Sequence, residues 1–398
     1  MSRLSRLLWI LALVAMPWGV FAHDGMHMGG HNMESGVATS AAFGPDGRLW
    51  VVGAKAGHLV LRHSDDLGRT LSAPVMVNAQ AMPIFTMGED KPKIALGKSG
   101  EIYISWTESL PKPYTGYVFF TRSVDGGKHF SKPFRVHRDG AEITHRLDAM
   151  KVDAKGRILI AWIDRRDFEA ARSQGKDYLG TAVYYAWSND HGKSFGPEHK
   201  LVDHSCDCCR IALSEAPNGG VAAFWRADYP GNIRDHTYAL LRGGAVVDEP
   251  ARATYTQWHV EACPHQGPGL AVGADGVRHA VWFSAKDNAP TIWYGQLEPG
   301  QPPRHLQPVA QLGAAHADIA AAGRQVWIAW NQVDAEGLKL MVRESGDGGA
   351  HFEAAREIAR TDAAAGSPQL LLNAKNQAFV AWSTSSGFRL VPAAGSVQ

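Results

Sequence analysis

The sequence predicts an all-β protein, a β-propeller of four-stranded blades, and three observations carry that prediction. A hairpin recurs along the chain: a short apolar strand, a turn centred on Gly or Asn, then a second apolar strand ending in Trp. The copies end at Trp106, Trp162, Trp225, Trp282, Trp330 and Trp382, and a weaker first copy ends at Gly53, so the steps are 53, 56, 63, 57, 48 and 52 residues. Such a period is too long for most helical repeats and suits one blade of short strands. Apolar residues alternate within each copy, as at Ile102, Ile104 and Trp106, which is the period of two that marks strands. The 398 residues also include 42 Gly and 13 Trp, a mixture that suits tight turns pinned by aromatic side chains. Seven repeat units predict seven blades over residues 36–398, with six as the alternative, and make the six repeat-ending Trp core residues.

Two segments precede the repeats. Arg3 and Arg6 stand before the apolar run Leu7 to Val20, and Val20-Phe21-Ala22 places small residues where a signal peptidase reads. Residues 1–22 are therefore expected to be a signal peptide and the mature protein periplasmic. The apolar run is about 14 residues against roughly 20 for a bilayer span, so no membrane span is expected after cleavage. Residues 23–35 read as a flexible tail that packs His23, Met26, His27, Met28, His31 and Met33 into eleven positions. Composition of this kind points to metal binding. A terminal His23 would offer its α-amine and imidazole to Cu(II), and the thioethers favour Cu(I). The tract is similar to the His/Met-rich segments of periplasmic copper-handling proteins.

After the third strand of four repeats comes a second signature, S-x-D-x-G-x-x-(F/L), at Ser64 to Leu71, Ser123 to Phe130, Ser188 to Phe195 and Ser345 to Phe352. Ser and Asp side chains can bond nearby backbone N–H groups, and Gly takes the tight conformation, so each segment is a self-contained turn. The signature resembles the Asp box, or bacterial neuraminidase repeat, of the sialidase superfamily. That resemblance covers residues 36–398 and implies a propeller; the role of the turn itself is structural. The superfamily's enzymes imply an arginine triad, a Tyr/Glu nucleophile pair and an Asp acid/base, with the first arginine in an R-I-P stretch. Here Val37 to Gly47 and Met82-Pro83-Ile84-Phe85 contain no arginine. Arg146 and Arg210 do stand at strand entrances, as substrate ligands or as structural partners of carboxylates. A non-sialidase member is expected, and a binding protein more than an enzyme.

Forty basic against thirty-nine acidic residues leave a net charge of +1, which excludes the dense basic field that nucleic acid requires. Position is more informative than bulk charge. In a propeller the segments leading into the first strand of each blade converge around the central channel. Cys206, Cys208 and Cys209 precede one such strand, and Cys263 and His265 precede the next. Counting back from equivalent strand positions aligns Glu89, His145, Cys206 and His265 in one row, with Met87, His204 and Cys263 two residues earlier. Thiolate, thioether and imidazole are soft ligands that favour Cu(I), with zinc as an alternative. The expected ligands are Cys206, Cys208, Cys209 and Cys263, completed by His265, His145 and Met87. The main expectation is thus a periplasmic copper-binding protein for homeostasis, detoxification or delivery, its partners a metal ion and a periplasmic or outer-membrane copper-handling protein. The alternative is a sialidase-like glycan hydrolase or lectin with structural disulfides, since secreted chains usually pair an even number of cysteines. Adjacent Cys208 and Cys209 are awkward to join to each other.

Overall fold

The chain forms strands of two to ten residues, and they fold into seven antiparallel sheets. The computed structural model describes residues 37–394 except residue 218; the expected signal peptide and His/Met-rich tail lie outside these described residues. The sheets occupy 40–76, 93–135, 145–205, 212–252, 269–310, 314–361 and 369–392, and every strand pairs with its neighbour in sequence. Six have four strands, and the seventh has three among the described residues. The innermost strands are Ser40–Phe43, Lys93–Leu96, His145–Val152, Ala212–Ala216, Gly269–Val272, Ala314–Ala322 and Gln369–Leu372. Each touches the next and the last touches the first, so the sheets form a closed seven-bladed propeller, which decides the blade number left between six and seven.

The repeat-ending tryptophans explain the spacing of the blades. Each lies in the apolar core between its own blade and the one before: Trp106 with Leu59 and Leu61, Trp162 with Val118 and Phe120, Trp382 with Ala329 and Leu340. All six are at most 1% exposed. The interface between blades 7 and 1 differs. Its core is Ala41, Leu49, Val51, Leu371 and Ala381, with no tryptophan, because the first repeat ends at Gly53. There Thr39 fills the space, its methyl 3.1 Å from where a Gly53 Cβ would stand. The Thr39 and Ser383 hydroxyls bond to each other, and the Ala41 N–H donates to Gln369 Oε1 at 3.1 Å.

The four S-x-D-x-G segments share one geometry. In the second, Ser123 Oγ donates to Asp125 Oδ1 at 2.8 Å and accepts the Gly127 N–H at 3.0 Å, while Asp125 Oδ1 accepts the His129 N–H at 3.0 Å. Gly127 has φ +80°, a region costly for residues with a Cβ. After the strand Ile158–Asp164 the chain runs into a helix, Arg166–Ser173, with Arg166 bonded to Asp164 at 2.7 Å and Glu198 at 2.8 Å. No helix among the described residues is long and apolar enough to cross a membrane.

Candidate functional site

The segments entering the innermost strands converge, as expected, on one end of the channel. There a cavity of about 580 Å³ is lined by Glu89, Lys91, Lys93, Arg210, Asp318 and Gln369, among others. Lys93, Arg210 and Asp318 stand at the first position of their repeat copies, KIAL, RIAL and DIAA, with Glu89 and Lys91 just ahead of one of them, and the channel has room for a long polar group.

Arg210 and Glu89 organise this mouth. Glu89 is buried and accepts from the Arg210 guanidinium, the Arg210 N–H at 3.2 Å and the Gly267 N–H at 2.7 Å, with His316 Nδ1 at 3.3 Å. Burial alone would raise its pKa, but Arg210, His316 and the Gly267 N–H outweigh it and hold the carboxyl down at about 2. Arg210 also donates to the Pro268 carbonyl at 3.0 Å and the Ala317 carbonyl at 2.6 Å, so one side chain from blade 4 touches the approaches to blades 2, 5 and 6. A Cβ on Gly267 would stand 2.7 Å from Glu89 Oε2, which is why glycine occupies that position. Arg146 is likewise committed: it lies 3.1 Å from Asp90 and over the Phe85 ring at 4.0 Å.

Around this pair the titratable groups are pushed apart. Burial, together with Lys93 and Arg210, lowers Lys91 to about 8. Burial raises Asp318 above the usual carboxylate range, against the pull of Arg210; its Oδ2 accepts the Leu370 N–H at 2.8 Å. Burial raises Asp148 as well; Ser105 Oγ donates to its Oδ2 at 2.6 Å, and its Oδ1 has no hydrogen-bond partner among the described residues. An amine lowered to about 8 and a carboxyl raised by burial, both beside fixed cations, are groups suited to proton transfer.

The cysteines lie beside the mouth. Cys206, Cys208 and Cys209 are buried with sulfurs 3.5, 3.8 and 3.8 Å apart, and all four cysteines are free thiols, not the disulfides of the alternative reading. Thiol donation from Cys206 and Cys208 lowers Cys209, while the same shared protons raise Cys208. Cys263 and His265, from the approach to blade 5, are exposed and meet the group at Cys208: the three ligand atoms lie within 4.8 Å of one another. Below, the buried Arg226 donates Nη2 to the carbonyls of Gln266 at 2.9 Å and Phe283 at 3.0 Å; its Nε and Nη1 have no hydrogen-bond partner among the described residues.

The structure thus gathers Cys206, Cys208, Cys209, Cys263 and His265. It places His145 elsewhere, a correction to the aligned row. His145 Nδ1 lies 3.1 Å from the Gly116 carbonyl and Nε2 lies 3.1 Å from Asp139, with Asp164 at 3.8 Å and the His137 ring stacked at 4.0 Å. The row also misleads for Glu89, which meets Arg210 and Gly267. Positive φ at His204 (+60°) and His265 (+50°) twists these approach loops out of register with a straight strand. Met87 is half-buried in the turn whose carbonyl accepts the Asp90 N–H at 3.0 Å. His23, Met26, His27, Met28, His31 and Met33 fall outside the described residues. Lys91, Asp318, His316 and Arg226 went unseen in the sequence; the available signal was a charge at the first repeat position, as at Lys93 and Asp318.

No family model and no curated protein matches the sequence. Solved structures do match the fold. An ulvan lyase of polysaccharide lyase family 25 is 13% identical with TM-score 0.57, covering 90% of this chain and 93% of that one. An ulvan lyase bound to a GlcA(1-4)Rha3S repeat is 12% identical with TM-score 0.56, covering 89% and 92%. A Hadza microbial sialidase is 13% identical with TM-score 0.49, covering 86% of this chain and 76% of that one. At such identities the likeness establishes the fold. The two ulvan lyases nonetheless correct the main functional expectation: they favour the glycan-active alternative over a copper-binding protein for homeostasis, detoxification or delivery.

Proposed function

We propose that the protein is a glycan-active propeller that takes an acidic polysaccharide at the mouth of its channel and cleaves it by elimination. The observation that carries the reading is the set Lys91, Lys93, Arg210 and Asp318 around one cavity. The substrate class follows the ulvan lyase neighbours, one of them bound to a glucuronate-containing repeat. Arg210, fixed by contacts to three other blades, and Lys93 hold the sugar carboxylate and stabilise the charge that develops on it. Lys91, held near pKa 8, removes the proton α to that carboxylate. Its electron pair forms the C4=C5 double bond, the C4–O bond breaks, and the leaving oxygen takes the proton of Asp318. Lys91 and Asp318 then return to their starting states by exchange with water.

The test is incubation of the mature protein with uronate-bearing polysaccharides, following the ultraviolet absorbance of the unsaturated product alongside reducing ends. Both signals should rise together, faster as pH climbs through about 8, because Lys91 must be unprotonated to act. Lys91→Ala should lower the rate by about 10²-fold or more, the range of general base catalysis. Reducing ends without the absorbance would replace elimination by hydrolysis, and binding without turnover would make the protein a lectin.

A further inference from the structure

We infer that Cys206, Cys208 and Cys209, with Cys263 as fourth ligand, form a tetrahedral zinc site that fastens the approach to blade 5 onto the approach to blade 4. Three observations converge, and none depends on the glycan reading.

The first is the sulfur geometry. A tetrahedron with Zn–S of about 2.3 Å has edges of about 3.8 Å between sulfurs. The three buried sulfurs stand at 3.5, 3.8 and 3.8 Å, one face of that figure, whereas a disulfide needs about 2.05 Å. The second is the open corner. Cys208 belongs to both the buried triad and the group with Cys263 and His265, so the blade 5 segment already meets one vertex of the triad, and Cys263 has to close on Cys206 and Cys209 to complete the tetrahedron. Cys263 is oriented there by its S–H donation to Asp207 Oδ1 at 3.4 Å.

The third is Arg226. This guanidinium is 1% exposed, its Nε and Nη1 have no hydrogen-bond partner among the described residues, and the backbone carbonyl of the same residue accepts the Cys206 N–H at 3.0 Å. A buried cation lacking a counter-charge is strongly unfavourable. Four thiolates around one Zn²⁺ carry a net charge of −2, and the positive charge of Arg226 would offset half of it. A site of this kind would be structural and closed. Because Arg210 follows Cys209 directly, the ion would also anchor the arginine of the channel mouth.

The experiment is purification of the full mature chain under anaerobic, chelator-free conditions, with elemental analysis and thiol titration before and after a strong chelator. One zinc per chain and thiols that react only after chelation are expected. Cobalt substitution should give the visible bands of a tetrahedral, thiolate-rich centre. Since Cys206→Ser or Cys208→Ser can prevent folding, Cys263→Ser is the informative variant: Cys263 is exposed, so the propeller should keep its circular dichroism while zinc affinity falls by an order of magnitude or more. His265→Ala should change affinity far less. Disulfides released only by reductant, freely reactive thiols on a metal-free protein, or copper in place of zinc would overturn the assignment. A greater loss in His265→Ala than in Cys263→Ser would overturn the four-sulfur ligand set. Glycan cleavage is read separately, so a failure here leaves that activity measurable.

Discussion

Glu89 shows what one side chain decides. It neutralises Arg210 inside the protein, so Glu89→Ala strands a largely buried guanidinium and should destabilise the fold by about 3 kcal/mol, measured by denaturant unfolding at neutral pH. The sign of the pH dependence follows from its depressed pKa. A carboxyl near 2 when folded and about 4.3 when unfolded contributes fully above the unfolded value, and that contribution is lost as pH falls through the folded one. Wild type and Glu89→Gln should therefore differ most above about pH 4 and converge toward pH 2, whereas a constant gap would refute the ion-pair account. The cysteine group was legible in the sequence because four of its members sit next to strand entrances. Arg226 was not, since a charged residue directly after Trp225 reads as a strand end. Arg146 and Arg210 were visible at strand entrances, and the carboxylates they pair with, Asp90 and Glu89, were not legible as their partners.

Elements were readable where burial imposes a pattern and hidden where it does not. The second strands, such as Ile158–Asp164, Gly220–Arg226 and Ala378–Thr384, are buried along their whole length because both faces meet other blades, and the repeat-ending tryptophans announce them. The outermost strands of blades 1 and 2, Val75–Met76 and Phe134–Arg135, span two residues each and carry no period at all. The S-x-D-x-G turns were legible as local chemistry, because Ser, Asp and Gly bond within one turn. Ser123→Ala removes a buried hydroxyl that joins Asp125 to the Gly127 N–H and should cost about 1–2 kcal/mol, with the seven-bladed fold retained. Trp282→Ala empties the core between blades 4 and 5 and should cost about 3–5 kcal/mol. Thermal melts of the two variants would rank them, and equal losses would mean that the tryptophans are not the principal spacers.

At the scale of the molecule, seven repeats in sequence became seven sheets in space, and six of the seven copies supply the tryptophan that spaces each from its predecessor. Which charged residues meet in the channel was not legible, since that depends on the path of the approach loops, and His145 is the clearest case. The seam between blades 7 and 1 follows a different rule: a glycine, a threonine hydroxyl and a glutamine amide stand where the other junctions have an indole. Among the described residues every sheet is one uninterrupted stretch of chain, so opening the ring at that seam would break side-chain contacts and leave the described strand pairing intact. The order of the blades is therefore separable from the position of the chain ends. A circular permutant with its ends moved between blades 4 and 5 and the old ones joined by a flexible linker should close into the same ring, and with its former seam tethered it should open less readily than the natural chain.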